Sequence, residues 1–198
     1  MRADMQAAGI KGLRMQSAYR PYGYQRALFE HKVMYWRELG HEERAARALA
    51  ARSVAMAGAS EHQTGLAVDV SLNGMLSVHF GSTEAGIWLQ NNCSTYGYII
   101  RYPLEKTAIT GIMYEPWHLR YLGLPHSQFI HDRKICLEEY VEYVKDSGIL
   151  LHWVDEKVYY KVSYVPQLKE DLLAYDISSI RPGGAGGYII TELKSFIR

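Results

Sequence analysis

The chain has 198 residues, of which 48% are hydrophobic and 22% charged, and its formal net charge is +1. This length suits one compact domain with a small appendage, and the balanced charge gives no electrostatic case for binding nucleic acid. No apolar run approaches the ~20 residues that cross a bilayer, and the N terminus lacks the apolar stretch of a signal peptide. We therefore expect no nucleic-acid partner and no transmembrane segment in this chain. Its opening on a helix-like pattern is consistent with a fragment of a longer protein.

The first part of the chain predicts helices that alternate with short strands. In the longest helical pattern Leu28, Val33 and Trp36 are the expected inward positions. The predicted elements are, in order, a helix end at 1–9, a strand at 13–19, helices at 22–39 and 42–57, and a strand at 66–71.

Later residues predict more strands and fewer helices, with Ser82 as a candidate N-cap of the next helix. The elements are a helix at 83–93, strands at 96–103 and 110–118, a helix at 136–146, and a hairpin over 149–165 that turns near Asp155–Glu156. Helices first and short strands later predict an α+β fold with a small β-rich tail. We place a boundary near 125–135, between a main domain at 1–125 and an accessory region at 126–198.

Three features of the sequence could suggest other chemistry, but each has a simpler interpretation. Cys93 and Cys136 form neither a CxxC pair nor a zinc-finger spacing, and two buried thiols are favoured over a disulfide. The segment HEERA (41–45) lacks the second histidine of HExxH and predicts a solvated helix start. The segment RPGGAGGY (181–188) precedes a strand pattern and not the helix that a phosphate cradle requires, so it predicts a loop.

The segment SEHQTGLAVDV (60–70) places a carboxylate inside an apolar strand pattern. Asp69 alternates with Val68 and Val70, so its side chain faces away from the apolar side of the strand. A buried carboxylate is costly unless it is paired or bound to a metal. His62, in the polar turn before the strand, is the nearest candidate to share such a partner.

A second segment, EPWH (115–118), adds Glu115 and His118. Two histidines and an aspartate suit a catalytic zinc site, where protein groups fill all positions but one and water takes the last. Zinc lowers the pKa of that water to about 7, and a carboxylate outside the ligand set can take its proton. In this interpretation His62, Asp69 and His118 are the ligands and Glu115 is the base. Ordinary core or surface histidines, and an aspartate paired with an arginine, fit the spacing equally well.

Four segments occur in an order that resembles a known family: SAYRPYGYQ (17–25), SEHQTGLAVDV (60–70), YGYIIRYP (96–103) and TGIMYEPWHLRYLG (110–123). Over about residues 1–125 the chain resembles the VanY-type D-alanyl-D-alanine carboxypeptidases, zinc peptidases of bacterial cell walls. The resemblance implies a hedgehog/DD-peptidase-like fold with helices packed on a small antiparallel sheet. The chain departs from the family at Ala57–Gly58, where a proline-glycine pair is frequent, and the family domain usually begins further upstream.

The resemblance also implies roles for individual residues. It assigns Zn²⁺ to His62, Asp69 and His118, and it makes Glu115 the general base that activates the zinc-bound water. Arg20 is expected in the substrate cleft, where its guanidinium could hold either the terminal carboxylate of the substrate or the developing oxyanion. The other expected cleft residues are Gln25, Ser17, Tyr19, Ser60 and Trp117.

The activity implied is a zinc-dependent carboxypeptidase that removes the C-terminal D-alanine from peptidoglycan stem peptides ending in D-Ala-D-Ala. The enzyme alternatives are an L,D-carboxypeptidase acting on stem tetrapeptides and a D,D-dipeptidase. The non-enzyme alternatives are a catalytically silent zinc module, as the resemblance to the hedgehog signalling domain suggests, and a wall- or partner-binding module. Glu115 argues against a silent site, because a structural zinc needs no base.

A dipeptidase would need an acid near the free ammonium of its substrate. Glu61 is the only further acid in the two motifs, and strand-like alternation predicts that it points away from the cleft. We therefore expect stem peptides as the partner in preference to a free dipeptide. Such a substrate implies an extracytoplasmic location at the cell envelope, although this chain carries no secretion or anchor signal.

Overall fold

The computed structural model of the chain describes residues 1–168, 179–182 and 187–195. It divides into two compact units, Met1–Cys136 and Leu137–Arg198. The boundary between a catalytic domain at 1–125 and an accessory region at 126–198 concerns function and stays a prediction. The first compact unit also includes the helix that follows Pro125. Among the described residues, no helix has the length and apolar character needed to cross a membrane.

The first unit combines six helices with a four-stranded antiparallel sheet. The helices are α1 (Arg2–Ala7), α2 (Tyr22–Glu38), α3 (Glu43–Ala51), α4 (Glu84–Asn92), α5 (Thr107–Thr110) and α6 (His126–Arg133). The strands are β1 (Arg14–Ser17), β2 (Ala67–Ser71), β3 (Tyr98–Tyr102) and β4 (Glu115–Tyr121), and short 3₁₀ helices occupy Glu61–Thr64, Val78–Ser82, Cys93–Tyr96 and Leu104–Lys106. The expected α+β fold with a small antiparallel sheet is confirmed.

The strand order of this sheet, β1-β2-β4-β3, places β2 and β4 at its centre. Asp69 of β2 is the register partner of both Ser17 in β1 and His118 in β4. Directly opposed residues of antiparallel strands project from the same face. The register therefore sets Ser17, Asp69 and His118 in one row across the sheet.

The apolar side of the sheet packs against helix α4 and its neighbours. Leu89 and Leu119 are fully buried there. The other buried members of this cluster are Met5, Val70, Phe80, Ala85 and Cys93. Cys93 and Cys136 are both buried thiols that form no disulfide, as the sequence predicts, and burial raises the pKa of the Cys93 thiol to about 12.

Helices α2 and α3 pack on each other through small and large apolar residues. Phe29 and Val33 of α2 are buried with Ala46 and Ala50 of α3. The inward position predicted for Val33 is confirmed, whereas Leu28 and Trp36 are only partly buried. Phe29, the next residue along α2, is buried against α3 in place of Leu28.

Three predicted element ends are wrong. Helix α4 is capped by Thr83, whose Oγ1 accepts from the Gly86 N–H, and not by Ser82. Helix α3 ends at Ala51 although the alanine-rich pattern runs on to residue 57. Strand β4 begins only at Glu115, because residue 110 still belongs to α5 and Gly111, with φ 71°, caps that helix before a short irregular segment.

The second unit consists of one helix and an antiparallel sheet. Its elements are α7 (Leu137–Ser147), β5 (Ile149–Trp153), β6 (Val158–Val165), β7 (Ser179–Pro182) and β8 (Tyr188–Ser195), with strand order β5-β6-β8-β7. The predicted hairpin is confirmed, since Asp155 Oδ1 accepts from the Lys157 and Val158 N–H groups at the turn. The loop predicted over 181–188 is wrong at its two ends, which belong to β7 and β8, and residues 183–186 lie outside the described residues.

Candidate metal centre and cleft

A cleft of about 320 Å³ opens on the polar face of the first unit's sheet. Its polar lining includes Arg20, Glu61, His62, Asp69, Glu115 and His118. These residues come from β2, β4, the 3₁₀ helix Glu61–Thr64 and the segment between β1 and α2. The cross-strand row described above explains why positions so distant in the chain meet here.

His62 lies in the 3₁₀ helix and its side chain is 2% exposed. Its Nδ1 is 2.7 Å from the carbonyl oxygen of Ala18, which can only accept, so Nδ1 carries the proton and donates. The lone pair is therefore on Nε2, which lies 3.3 Å from Asp69 Oδ2 and is buried without a hydrogen-bond partner among the described residues. This tautomer leaves His62 ready to bind a metal through Nε2.

His118 approaches the same carboxylate from the opposite side. Its Nδ1 lies 3.3 Å from Asp69 Oδ1, an oxygen that is buried and has no hydrogen-bond partner in the described part of the chain. The side chain of Asp69 is 2% exposed. Asp69 thus has one carboxylate oxygen close to each histidine.

The donor atoms of these three residues have the spacing of a metal site. Ligand atoms bound at 2.0–2.2 Å around a tetrahedral ion lie about 3.3–3.6 Å apart. The two measured separations from Asp69 are 3.3 Å, and the donor atoms of all three residues lie within 4.8 Å of one another. Together with the unpartnered Asp69 Oδ1 and His62 Nε2, this spacing fits one cation with two imidazoles and one carboxylate.

Glu115 lies beside this cluster but outside it. Its Oε2 is 3.4 Å from His118 Nδ1, and its side chain is 8% exposed. In a regular strand, residues three apart point to opposite faces. Here the pairing of β3 with β4 is irregular, since Ile100 pairs with Leu119 but Tyr102 pairs with Glu115, and in this irregular stretch Glu115 lies beside His118.

The electrostatics of the cluster favour a cation. Burial raises the pKa of Glu115, although the hydrogen bond to His118 opposes the shift. Burial would lower the pKa of His118, but the carboxylates of Asp69, Glu115 and Glu61 outweigh it and raise the pKa to about 10. The raised pKa of His118 shows that these carboxylates favour a positive charge at this position.

Arg20 closes the cluster on the side of β1 and α2. Its NH2 forms an ion pair with Asp69 Oδ2, its Nε donates to Ser17 Oγ at 2.7 Å, and its NH1 donates to Gln25 Oε1 at 3.3 Å. The backbone N–H of Arg20 also donates to the carbonyl of His62 at 3.1 Å. The guanidinium is therefore fixed at the edge of the metal cluster.

Gln25 is fully buried behind Arg20 and is not one of the described residues that line the cleft. Its Nε2 donates to the carbonyl of Ala55 at 2.7 Å. This bond ties α2 to the segment that follows α3. Both polar atoms of the Gln25 side chain thus contact protein groups.

The remaining predicted residues differ in their positions. Ser17, Ser60 and Trp117 line the cleft, whereas Tyr19 is 64% exposed and is not among the described lining residues. The orientation predicted for Glu61 is wrong. It belongs to a 3₁₀ helix and not to a strand, and its side chain lines the cleft next to His118.

Sequence reasoning also missed Tyr102 as a cleft residue. Its ring lies edge-on to the ring of His118, with the centroids 5.0 Å apart. The signal was available in YGYIIRYP, because this predicted strand pairs with the strand of EPWH and so places its last aromatic residue beside that motif.

The fold and the cleft together define a class of protein: an α+β domain in which a buried His-Asp-His cluster lies beside a further buried carboxylate, the donor set of a metal-dependent hydrolase. The VanY family model, described as D-alanyl-D-alanine carboxypeptidase, matches residues 1–124. The chain belongs to this family, as the four sequence segments predict.

Individual relatives extend this comparison. The D-alanyl-D-alanine carboxypeptidase of Enterococcus faecium is 33% identical over 194 residues, which are 95% of this chain and 56% of that protein. The structure of the vancomycin resistance D,D-pentapeptidase VanY in complex with Zn(II) is 39% identical, has a TM-score of 0.61, and covers 71% of this chain and 78% of its own. The structure of the LdcB LD-carboxypeptidase is 42% identical and has a TM-score of 0.60, and the match covers 71% of this chain and 64% of the LdcB chain. The chain spans about half the length of the first curated relatives.

Proposed function

We propose that this protein is a zinc-dependent carboxypeptidase that releases the C-terminal D-alanine from peptidoglycan stem peptides ending in D-Ala-D-Ala. The observation that carries the proposal is a buried His62–Asp69–His118 cluster with Glu115 adjacent to it and outside the ligand set. The zinc-bound VanY structure and the E. faecium carboxypeptidase support the metal and the reaction.

His62, Asp69 and His118 would hold the metal through the atoms that already face one another. A bound Zn²⁺ would acidify a water at its open position and polarise the scissile carbonyl. The protein residues supply orientation: the Ala18 carbonyl fixes the tautomer of His62, and the β2–β4 register fixes Asp69 against His118.

Glu115 is proposed as the general base. Its carboxylate is buried, close to the metal ligands, and it is not one of the three residues whose donor atoms cluster. Burial raises its pKa, which makes it a stronger proton acceptor. It would take a proton from the attacking water and return it to the leaving amine of D-alanine.

Arg20 is proposed to stabilise negative charge on the substrate. Its guanidinium lines the cleft and is held by Ser17, Gln25 and Asp69. A cation held in place before the reaction is well suited to a terminal carboxylate or to a developing oxyanion, because no reorganisation is needed. Gln25 would hold the Arg20 guanidinium in place by accepting its hydrogen bond. Ser60 and Trp117, which line the cleft, would contact the peptide.

The shape and charge of the cleft favour a stem peptide over a free dipeptide. A dipeptidase needs an unpaired acid for the substrate ammonium. Glu61 lines the cleft, but its Oε1 is already bound by Arg101 at 2.8 Å and Arg120 at 3.0 Å. The apolar lining, which suits a longer acyl chain, is Leu28, Val54, Leu76, Ile112 and Trp117.

An L,D-carboxypeptidase is the second candidate, because the LdcB structure is as similar to this chain as the VanY structure. Both substrates end in a D-alanine carboxylate and differ in the residue before the scissile bond. We favour the D,D activity because it is the activity that the family description and the E. faecium relative carry. Either substrate is a wall component, so we also propose an extracytoplasmic location at the cell envelope.

The test compares initial rates of D-alanine release, by mass spectrometry, from a pentapeptide ending in D-Ala-D-Ala and from the matched tetrapeptide. We expect faster release from the pentapeptide, loss of release with a chelator, and recovery with added Zn²⁺. His62→Ala and His118→Ala should lose stoichiometric zinc. Faster release from the tetrapeptide would overturn the D,D assignment, and full activity in the chelated protein would overturn the metal mechanism.

A further inference from the structure

Glu61 is held by two arginines from neighbouring strands. Its Oε1 accepts from Arg101 Nε at 2.8 Å and lies 3.0 Å from Arg120 NH1. Arg101 belongs to β3, and Arg120 follows His118 by two residues on β4, so its side chain projects from the same face as that histidine. Both arginines bind Oε1 of the carboxylate, and Oε2 faces a different neighbour.

The second oxygen of Glu61 is oriented toward His118. Glu61 Oε2 lies 3.7 Å from His118 Nε2, and within the described part of the chain both atoms are buried without a hydrogen-bond partner. The other ring nitrogen, Nδ1, is the one that faces Asp69 and Glu115. The ring of His118 therefore lies between the candidate metal position and the carboxylate of Glu61.

A histidine can bind a metal through Nδ1 only when its proton resides on Nε2. Ligating histidines usually donate that second N–H to a carboxylate or a carbonyl, which fixes the tautomer and the ring orientation. For His62 the acceptor is the Ala18 carbonyl. For His118 the group in the corresponding position is Glu61.

We propose that Glu61 is a positioning residue that accepts from His118 Nε2–H and thereby fixes His118 as an Nδ1 ligand. This inference rests on the proposed metal site and deepens it. Glu61 is not one of the three residues whose donor atoms cluster, and in this proposal it acts through His118.

The two arginines explain why this carboxylate is suited to the role. Arg101 and Arg120 place two positive charges against Oε1, and these opposite charges stabilise the buried carboxylate. They also hold Oε1 away from the cluster, so Glu61 does not compete with Asp69 as a ligand. The result is a carboxylate acceptor that is held in a fixed position.

The experiment measures zinc affinity by competition with a chromophoric chelator in the whole protein. Glu61→Gln preserves the size of the side chain and removes its charge, and we expect zinc to bind roughly 10- to 100-fold more weakly. The matched control is Glu192→Gln, because Glu192 is also held by two cations, Lys161 at 3.2 Å and Lys194 at 2.8 Å, in the second unit. The control should leave the zinc affinity unchanged.

A second measurement reads the tautomers directly in the zinc-loaded wild-type protein by ¹⁵N NMR of the histidine rings. We expect His118 to carry its proton on Nε2 and His62 to carry its proton on Nδ1. This readout does not depend on whether any Glu61 variant folds. A His118 ring protonated on Nδ1 would overturn the proposal.

Unchanged zinc affinity in Glu61→Gln would also overturn it, even if the variant were less stable, since a purely structural ion pair would give that pattern. Failure of the proposed reaction is a separate result. A wild-type protein that binds zinc but releases no D-alanine would contradict the function and leave the role of Glu61 to be decided by affinity and tautomer. A wild-type protein that binds no zinc would overturn both.

Discussion

Glu115 and His118 are three residues apart on one strand, yet their side chains lie on the same side of the sheet. The pairing of β3 with β4 is irregular between Leu119 and Glu115, and Glu115 Oε2 lies 3.4 Å from His118 Nδ1. At the scale of single residues, the candidate site thus depends on a local irregularity of β4 that separates a ligand from a base.

Replacing Glu115 with glutamine should separate binding from catalysis. The amide has the same shape as the carboxylate but cannot accept the proton of the attacking water. We expect full zinc occupancy and a fall in kcat of roughly 100-fold or more. Metal analysis and single-substrate kinetics on the same preparation check both halves, and near wild-type kcat would exclude Glu115 as the base.

Arg20→Lys should lower activity while the protein remains folded. Lysine retains the positive charge but cannot bind Ser17, Gln25 and Asp69 at once, as the guanidinium does. We expect kcat/KM on D-Ala-D-Ala peptides to fall by at least about tenfold, with little change in the midpoint of thermal unfolding. The suitable control is Arg37→Lys, because Arg37 is an exposed arginine paired with Glu43. Equal activities for the two variants would remove Arg20 from the site.

At the scale of elements, helix α4 depends on a very close approach. Its third residue, Gly86, lies over the 3₁₀ helix Val78–Ser82, where an added Cβ would be 2.0 Å from the carbonyl oxygen of Phe80 and 2.9 Å from Gly81 Cα. Both neighbouring atoms are backbone, so they cannot move aside as a side chain would. The contact fixes α4 against the core that supports β4.

Gly86→Ala should therefore destabilise the protein by about 1–3 kcal/mol, the usual cost of overpacking. The matched control is Gly23→Ala in α2, where an added Cβ meets nothing within 4 Å. Because alanine is the better helix former, this control should stabilise by up to about 1 kcal/mol. Urea unfolding of both variants measures the difference, and equal stabilities would contradict the tight α4 contact.

The sequence predicts the site better than the ends of the elements. Asp69 stands out because a carboxylate is unusual in an apolar strand pattern, and His118 stands out because it closes EPWH with Glu115; both signals are local. Glu61 was misplaced because its neighbours allow either a strand or a 3₁₀ turn, and only the structure shows the turn. The segment after α3 is bound at the Ala55 carbonyl by Gln25, thirty positions away, and local propensity could not predict such a contact.

At the scale of the whole molecule, the described residues that line the cleft all belong to the first unit. The match to the E. faecium carboxypeptidase nevertheless continues through the second unit. We therefore propose that the first unit carries catalysis and that the accessory region at 126–198 has a separate role. The first helix of that region, α6, is the exception. Ser127 of α6 donates to the Ser94 carbonyl at 2.7 Å, so α6 belongs to the first unit by its contacts.

A chain of residues 1–136 should fold and bind zinc, whereas one of residues 1–125 should be much less stable. The shorter chain lacks Phe129 and Ile130, whose burial contributes roughly 3–6 kcal/mol together. That is a large share of the stability of an ordinary domain. Thermal unfolding by circular dichroism and zinc stoichiometry test both chains. Indistinguishable unfolding curves would show that α6 does not support the catalytic unit.

The pairing of Asp69 with His118 across β2 and β4 has a consequence for how this protein can change in evolution. Side chains alternate along a strand, so inserting or deleting one residue within either strand would turn one of the two toward the opposite face of the sheet. Substitutions can be accepted one at a time here, but single-residue insertions and deletions cannot. Length variation among descendants of this sequence should therefore accumulate in the loops between these strands, and the two strands themselves should keep a constant length.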